Sequence, residues 1–202
     1  IIVRGLHSTK IGRIIIDSLI NNIRLRTYVV NENNINLVFY APNSLNYFRA
    51  ETLYKKEPET IDWIDSFSDS SFFWDIGSNI GLYSCYAAKK KNCKVIAFEP
   101  SPLNLELLSK NIFINKLVDK ITIFSMPLSN AIKESKMKMS STDLGGALST
   151  FGEDYGHDGK NINSILEYNT FGFSGDEIIK FLNLPQPDHI KIDVDGIEHL
   201  IL

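Results

Sequence analysis

Cysteine is scarce in this chain. Its 202 residues include only two cysteines, Cys85 and Cys93, too few for the disulfide framework of a small secreted domain. No pair of histidines and cysteines has the spacing of a metal site, so no metal is predicted on these residues. Two cysteines in a chain of this size indicate a reducing compartment, and we predict a cytoplasmic location.

Long apolar runs and an excess of one charge are also missing. No stretch approaches the ~18 apolar residues of a membrane-spanning helix. The N-terminal Ile1–Val3 is followed by polar and basic residues without a cleavage site, so no signal peptide is predicted. The 21 basic and 24 acidic residues give a net charge of −3. This balance has no electrostatic footprint for nucleic acid, and we expect no nucleic-acid partner.

Length and composition predict a single domain, since 44% of the residues are hydrophobic. The chain lacks a starting methionine and stops at Leu202, where Ile197, Leu200 and Ile201 begin a helical pattern. We expect an excerpt or a truncated product whose C-terminal strands are missing. The sequence does not predict an oligomeric state.

The front of the chain has its own pattern. Apolar residues recur at helical spacing in 11–19, and two short apolar runs, 28–30 and 35–40, flank an asparagine-rich turn that predicts a hairpin. We therefore divide the chain into an accessory helix and hairpin, residues 1–50, and a main domain, residues 51–202. The accessory segment is expected to cover a sheet edge or a ligand pocket.

The most informative stretch is a glycine turn between a strand and a helix. The charge-free run Ser71–Trp74 predicts a strand buried on both faces. The turn Asp75–Gly81 follows it, and helical spacing begins at Leu82. Gly77 and Gly81 allow the backbone to pass close to a ligand, and the helix N-terminus offers unpaired N–H groups.

A second predicted strand, Lys94–Phe98, ends in Glu99, 22 residues after Gly77. An acid at this place accepts hydrogen bonds from the ribose hydroxyls of a bound nucleoside. The dinucleotide fingerprint G-x-G-x-x-G is incomplete, because Asn79 stands at its second glycine. Asp75 would repel a pyrophosphate, whereas it suits the ammonium and sulfonium of S-adenosylmethionine. The alternative is that Asp75 only caps the turn and Glu99 faces solvent.

The third element lies near the end of the chain, at residues 188–198. Apolar residues alternate there with Lys191, Asp193 and Asp195, so one face of a predicted strand is charged. Beside the first strand, these groups would face the same crevice as Glu99. Two alternatives remain open: Asp195 and Glu198 form a capping box, and Lys191 only neutralises Asp193.

These stretches resemble the FkbM-type family of S-adenosylmethionine-dependent methyltransferases. The matching motifs are Phe73-Trp74-Asp75-Ile76-Gly77-Ser78-Asn79-Ile80-Gly81, Ala97-Phe98-Glu99-Pro100-Ser101-Pro102 with Asn104, Pro127-Leu128-Ser129-Asn130, and Ile190-Lys191-Ile192-Asp193-Val194-Asp195-Gly196-Ile197-Glu198. The resemblance implies an α/β, Rossmann-like class I methyltransferase fold, a mostly parallel sheet with helices on both faces. It also implies O-methylation of a hydroxyl on a sugar, glycan or polyketide-like small molecule.

Site residues follow from these motifs. Asp193 is the candidate base, Lys191 would position it or stabilise negative charge, and Asp195, where the family usually has Glu, is a third candidate catalytic residue. Ser129 lies in the loop after the predicted third strand, where it could touch the adenine ring. The predicted cofactor-binding residues are Asp75, Gly77, Ser78, Asn79, Gly81, Glu99, Pro100 and Ser129.

Other possibilities stay open at this point. The irregular, glycine-containing stretch 140–163 would gate the site or lack order, and His157 within it is an alternative base. Asp193 and Asp195 could bind a divalent ion, although nothing requires one. Glu57 and Glu59 could reach the methionine end of the cofactor. The rival functions are a non-catalytic module that binds S-adenosylmethionine and a nicotinamide-dependent enzyme.

Overall fold

A computed structural model describes residues 2–156 and 159–201. The helices are α1 Ile2–His7, α2 Lys10–Arg24, α3 Ser44–Glu51, α4 Pro58–Asp65, α5 Leu82–Lys90, α6 Pro102–Ile114 and α7 Gly175–Leu182. The strands are β1 Thr27–Glu32, β2 Ile35–Tyr40, β3 Phe72–Ile76, β4 Lys94–Phe98, β5 Ile121–Phe124, β6 Lys133–Met139, β7 Ser149–Phe151, β8 Leu166–Gly172 and β9 His189–Ile192.

Four parallel strands form the central sheet, in the order β5-β4-β3-β9. The central strand β3 pairs with β4 on one side, where Asp75 is opposite Ala97, and with β9 on the other, where Asp75 is opposite Lys191. Since parallel strands end at one edge of a sheet, the segments after β3, β4, β5 and β9 meet there. The predicted strands before Asp75, Glu99 and Asp193 are thus confirmed as neighbours.

Helices cover both faces of this sheet, as predicted. On one face, apolar residues of α4, α5 and α6 pack with Phe73, Val95 and Ala97 in one buried cluster. On the other face, Ile178 of α7 packs with Trp74, Ile96 and Phe98. Alternate residues of β3 therefore face opposite layers, which explains why its sequence is apolar apart from Asp75.

A separate antiparallel sheet, ordered β7-β6-β8, lies in the chain between β5 and β9. The sequence analysis missed this sheet, and β7 lies inside the stretch 140–163 that was predicted to be irregular. It also missed α7, although Ser174 and Glu177 form a reciprocal capping box at its start, a recognisable sequence signal. His157, the alternative base, lies outside the described residues.

The predicted hairpin is confirmed, with Asn33 and Asn34 at positive φ in its turn. It lies over α5 and α6 and pairs with no strand of the central sheet within the described residues. The expectation that the accessory segment covers a sheet edge or a ligand pocket stays a prediction. The backbone N–H of Tyr40 donates to Asn111 of α6 over 2.8 Å, and that of Val38 donates to Asn115 over 2.9 Å. The side-chain amides of α6 thus accept hydrogen bonds from backbone N–H groups of β2, as the backbone of a neighbouring strand would.

The front segment and the main domain share packing. Leu37, Phe39 and Ala50 belong to the same buried cluster as Phe73. Helix α3 also runs across the proposed boundary between residues 50 and 51. The division of the chain into two parts stays a prediction.

After β9 the backbone forms a single 3₁₀ turn, Glu198–Leu200, where a longer amphipathic helix was expected. A first helical turn fixes several residues for one hydrogen bond, so a short segment gains little from it. Among residues 2–156 and 159–201, no helix has both the length and the apolar character needed to span a membrane.

Candidate active site

The edge where the parallel strands end contains a first cavity, which we call the strand-end cavity. Residues at the ends of β3 and β4 and just after β5 and β9 line this cavity. One wall is apolar and includes Phe98, Met126, Leu128 and Phe151. The polar residues that line it are Asn79, Glu99, Asn104, Ser149, Asp193 and Asp195. A flat apolar wall beside converging polar groups suits a nucleoside, whose base is apolar on its faces and whose ribose is not.

Glu99 lines this cavity directly after β4 and is almost completely buried. The backbone N–H of Asn79 donates to its Oε2 over 2.8 Å, and that of Ser101 to its Oε1 over 2.9 Å. Burial raises the pKa of this carboxyl from 4.5 to about 7, and the two N–H donors offset part of the effect. Glu99 is therefore a preorganised acceptor, as a ribose-binding acid must be.

The glycine turn approaches the end of β9 closely. A Cβ atom on Gly77, which has a φ of +81°, would lie 1.9 Å from the carbonyl oxygen of Asp193. Asn79 takes a φ of +50°, a conformation that asparagine tolerates better than most residues. This explains how the turn keeps its shape where the dinucleotide fingerprint has a second glycine.

Asp75 does not take the position expected of it. It shares a face of β3 with Phe73, so its side chain points toward α5, where the hydroxyl of Ser84 donates to its Oδ2 over 2.5 Å. It lines neither of the two cavities at the strand ends. Its Oδ1 has no hydrogen-bond partner among the described residues, and burial raises the pKa of the carboxyl. Direct contact with a ligand in these cavities stays a proposal that the geometry does not favour.

A second cavity, which we call the charged cavity, lies on the other side of the glycine turn. It shares Gly77, Asn79 and Asp193 with the strand-end cavity. Its other charged or phenolic lining residues are Arg49, Lys56, Glu57, Tyr83 and Lys191. Sequence reasoning missed Arg49 and Tyr83, because nothing local marks an arginine within a short helix or a tyrosine of α5 as a site residue.

Asp193 stands where the two cavities meet, and its side chain is 54% exposed. The ammonium of Lys191, only 10% exposed, lies 2.8 Å from its Oδ2. Lys191 also lies over the Tyr83 ring, with Nζ 5.1 Å from the ring centroid. The ion pair orients the carboxylate beside the junction of the cavities, so the predicted association of these residues is reproduced.

Asp195, the third candidate catalytic residue, lines the strand-end cavity and also bonds a neighbouring segment, so its catalytic role stays a prediction. Its Oδ2 accepts the backbone N–H of Leu148 over 2.6 Å and that of Ser149 over 3.4 Å. It thereby holds residues 143–148, which we call the strap, against the strand ends. Since the carboxylate is occupied by the strap, we propose that Asp195 acts as a positioning residue.

Further side-chain amides fix the strap over the strand-end cavity. The Nδ2 of Asn79 donates to the carbonyl of Gly146 over 2.8 Å, and the Nδ2 of Asn104 does so over 3.1 Å. Arg49 donates from Nε to the carbonyl of Gly145 over 3.0 Å. Part of the stretch predicted to gate the site is thus ordered by four separate regions of the chain.

The remaining predicted cofactor residues fall in different places. Pro100 lines the strand-end cavity, and Ser78 lines the charged cavity. Gly81 caps α5 from a φ of +83° and lines neither cavity. Ser129 is buried beside Gly172 and donates its backbone N–H to Phe173, whereas its neighbours Pro127 and Leu128 line the cavity. Ser129 as an adenine contact stays a prediction.

Within the described part of the chain, no group of three or more His, Cys, Asp or Glu side chains could hold a metal ion. Glu59, the other acid considered for the methionine end, is exposed and lines neither cavity. Both cysteines are buried and free.

A parallel sheet with a glycine turn, a ribose-type acid and an ion pair at its strand ends defines a Rossmann-like class I methyltransferase. The chain belongs to the family of the methyltransferase FkbM domain, whose model matches residues 75–202. The family depends on S-adenosylmethionine. The lining of the strand-end cavity fits that cofactor, because the buried carboxylate of Glu99 suits a ribose and the apolar residues suit a base. The nicotinamide alternative is therefore set aside.

Two curated proteins are similar to this chain. "Hexuronic acid methyltransferase AglP" of Haloferax volcanii is 28% identical over 139 residues, which cover 69% of this chain and 52% of the relative. "Methyltransferase sdnD" of Sordaria araneosa is 33% identical over 69 residues, 34% of this chain and 27% of that protein. The chain thus spans at most about half the length of these relatives.

Solved structures resemble part of the fold. TYW2 of P. horikoshii in complex with MeSAdo has a TM-score of 0.35 at 22% identity, over 52% of this chain and 39% of that one. A putative S-adenosyl-L-methionine-dependent methyltransferase from Methanococcus maripaludis has a TM-score of 0.34 at 26% identity, over 41% of each chain.

Proposed function

We propose that the protein transfers the methyl group of S-adenosylmethionine to a hydroxyl of a sugar, glycan or polyketide-like small molecule. The observation that carries this proposal is Asp193, a half-exposed carboxylate held by Lys191 where the two cavities meet. A module that only bound the cofactor would have no use for an oriented, accessible carboxylate at this point. The geometry therefore favours catalysis over the non-catalytic alternative.

The bound cofactor supplies a methyl group already activated by its sulfonium. What the chain must add is a place for the acceptor hydroxyl and a group that takes its proton. Asp193 is the group we propose, with Oδ2 fixed by Lys191 and Oδ1 directed to the proton. Lys191 keeps the carboxylate in place and offers positive charge beside the oxygen that becomes negative.

The other residues bind the cofactor and shield the reacting groups from water. Glu99 binds the ribose, and Gly77, which lines both cavities, lets the turn pass close to the backbone of Asp193. The strap covers the strand-end cavity and keeps water from the reacting groups, with Asp195 holding it closed.

The acceptor class rests on similarity and on charge. One relative is named a hexuronic acid methyltransferase, which favours a sugar or glycan acceptor here. The net charge of −3 gives no field that would attract nucleic acid. We also propose a cytoplasmic location, which the two unpaired thiols support.

The test measures S-adenosylhomocysteine released from S-adenosylmethionine in the presence of uronic acids, neutral sugars, hydroxylated polyketide-like compounds and tRNA. We expect turnover with a hydroxylated small molecule or glycan and none with tRNA. Turnover with tRNA alone would overturn the acceptor class. Binding of S-adenosylhomocysteine without turnover on any hydroxylated acceptor would favour the non-catalytic module.

A further inference from the structure

We propose that Arg49 and Glu57 hold the amino-acid end of the cofactor, Arg49 binding its α-carboxylate and Glu57 its α-ammonium. This inference rests on the proposed cofactor site and extends it into the charged cavity. Both residues precede the span matched by the family model, residues 75–202.

The position of the charged cavity is the first argument. It meets the strand-end cavity at Gly77, Asn79 and Asp193. A ligand with its nucleoside against Glu99 therefore has one direction in which to extend within these cavities, across Gly77. That direction leads to Arg49 and Glu57, which bring opposite charges to one small space.

Arg49 is suited to a carboxylate by its remaining donors. Helix α3 presents it, and its Nε donates to the carbonyl of Gly145 in the strap. Among the residues that the structure describes, its two terminal nitrogens donate no hydrogen bond. The side chain is half-buried, and burial lowers the pKa of its guanidinium, an effect that the carboxylates of Asp195 and Asp193 partly offset. A planar guanidinium also matches the geometry of a carboxylate.

Glu57 is suited to the ammonium. It is the N-cap residue of α4, yet its side chain accepts no capping hydrogen bond from the backbone of the helix. Its Oε1 lies 3.2 Å from the ammonium of Lys56, and its Oε2 accepts the hydroxyl of Thr60 over 3.4 Å. Its side chain is 26% exposed and lines the cavity.

The competing charges of the cavity are less suitable. Lys191 is paired with Asp193, and Lys56 is 53% exposed at the rim. An exposed lysine contributes little to holding an ion. Arg49 therefore remains the donor for the carboxylate, and the strap that it binds joins the amino-acid end of the site to the nucleoside end.

The experiment compares two ligands by isothermal titration calorimetry. S-adenosylhomocysteine carries the amino-acid end, and 5′-methylthioadenosine lacks it while keeping the nucleoside and the sulfur. The test variants are Arg49→Met and Glu57→Gln. The controls are Lys55→Met, an exposed cation close by that does not line the cavity, and Glu59→Gln, an exposed acid of α4 outside it. Circular dichroism melting checks that each variant folds.

We expect Arg49→Met and Glu57→Gln each to weaken S-adenosylhomocysteine binding by about 10-fold or more, as loss of a hydrogen bond to a charged group does. Their binding of 5′-methylthioadenosine should change less than about threefold, and both controls should bind both ligands like the wild type.

Equal losses for both ligands would overturn the proposal, because the residues would then act through the fold or the strap. Unchanged affinity for S-adenosylhomocysteine would also overturn it and would leave Arg49 as a contact for the acceptor. Failure of the proposed cofactor site itself gives a different result, since the wild type would then bind neither ligand.

Discussion

The two cavities differ in how the chain builds them. The strand-end cavity is made by residues that directly follow parallel strands, with Glu99 fixed by backbone N–H groups. The charged cavity is made by side chains from the ends of helices α3 and α4, from α5 and from β9. The first is preorganised by the sheet, whereas the second depends on separate elements meeting through Arg49, Glu57 and Tyr83. Binding of the nucleoside and placement of the reacting groups are therefore separable by mutation.

Replacing Asp193 by Asn should have the largest effect. We expect turnover to fall by about 1,000-fold, within the range for loss of a general base. S-adenosylhomocysteine affinity should stay within about tenfold, or roughly 1.4 kcal/mol. Steady-state kinetics and calorimetry on the same preparation measure both. Glu198→Gln, which alters a nearby acid lining neither cavity, is the control. Equal losses of turnover and affinity would place Asp193 among the cofactor-binding residues and erase the distinction between the cavities.

Gly77→Ala should destabilise the fold at the point where the cavities meet. Its Cβ would collide with the backbone of Asp193 from a positive φ, and strain of this kind costs about 3 kcal/mol or more. Urea unfolding monitored by circular dichroism measures the change. Gly156→Ala is the matched control, because a Cβ there meets nothing within 4 Å. Equal stability of the two variants would contradict the close approach of β3 and β9.

Glu99 gives the strand-end cavity a pH dependence. The carboxyl has a pKa of about 7 when folded and 4.5 as its ordinary value. Its stabilising contribution is complete below pH 4.5 and is lost as the pH rises toward 7, by about 3 kcal/mol. We therefore expect the wild type to lose that much stability relative to Glu99→Gln across this range in urea unfolding.

Ligand binding should follow the opposite trend, since ribose hydroxyls donate to the ionised form of Glu99. S-adenosylhomocysteine and 5′-methylthioadenosine should both bind about 10-fold more tightly at pH 8 than at pH 6. Glu99→Gln should weaken both ligands by about 100-fold and remove the pH dependence. A variant that lost only S-adenosylhomocysteine binding would move Glu99 to the amino-acid end of the site.

Asp195→Ala should have the smallest effect, confined to the strap. Loss of the acceptor for Leu148 and Ser149 should speed hydrogen exchange of these amides by about 10-fold, or ~1.4 kcal/mol. Asp195→Glu, which restores the residue usual in the family, shows how far the shorter side chain matters. Glu198→Gln is again the control. Unchanged exchange in Asp195→Ala would show that other contacts hold the strap.

The sequence was sufficient to predict the glycine turn and the acid of the strand-end cavity, because the signals for these features are local. A strand, a turn and a helix are each encoded within a few residues, and parallel strands must end at one edge. The predicted position of Asp75 differs from the observed one. Alternate residues of a strand face opposite layers, and Asp75 follows Phe73 by two, so the strand pattern places both side chains on one face.

The strap and the charged cavity could not be predicted from local signals of this kind. The strap is fixed by Asn79, Asn104, Asp195 and Arg49, which lie far apart in sequence and follow no common period. Side-chain contacts between such distant positions depend on the complete fold. The charged cavity was not predicted for that reason, although the sequence analysis includes Glu57 as a contact for the methionine end of the cofactor.

One asparagine of α6 has a consequence for shortening the chain. Asn111 accepts the N–H of Tyr40 with its oxygen and donates to the carbonyl of Ile80 with its nitrogen over 2.8 Å. The hairpin is thereby linked through one amide to the residue two positions before the start of α5. An engineer who removed residues 1–50 as a dispensable appendage would leave the oxygen of that amide without Tyr40 and would expose the apolar surface of α5 and α6. We expect a workable cut to lie before the hairpin.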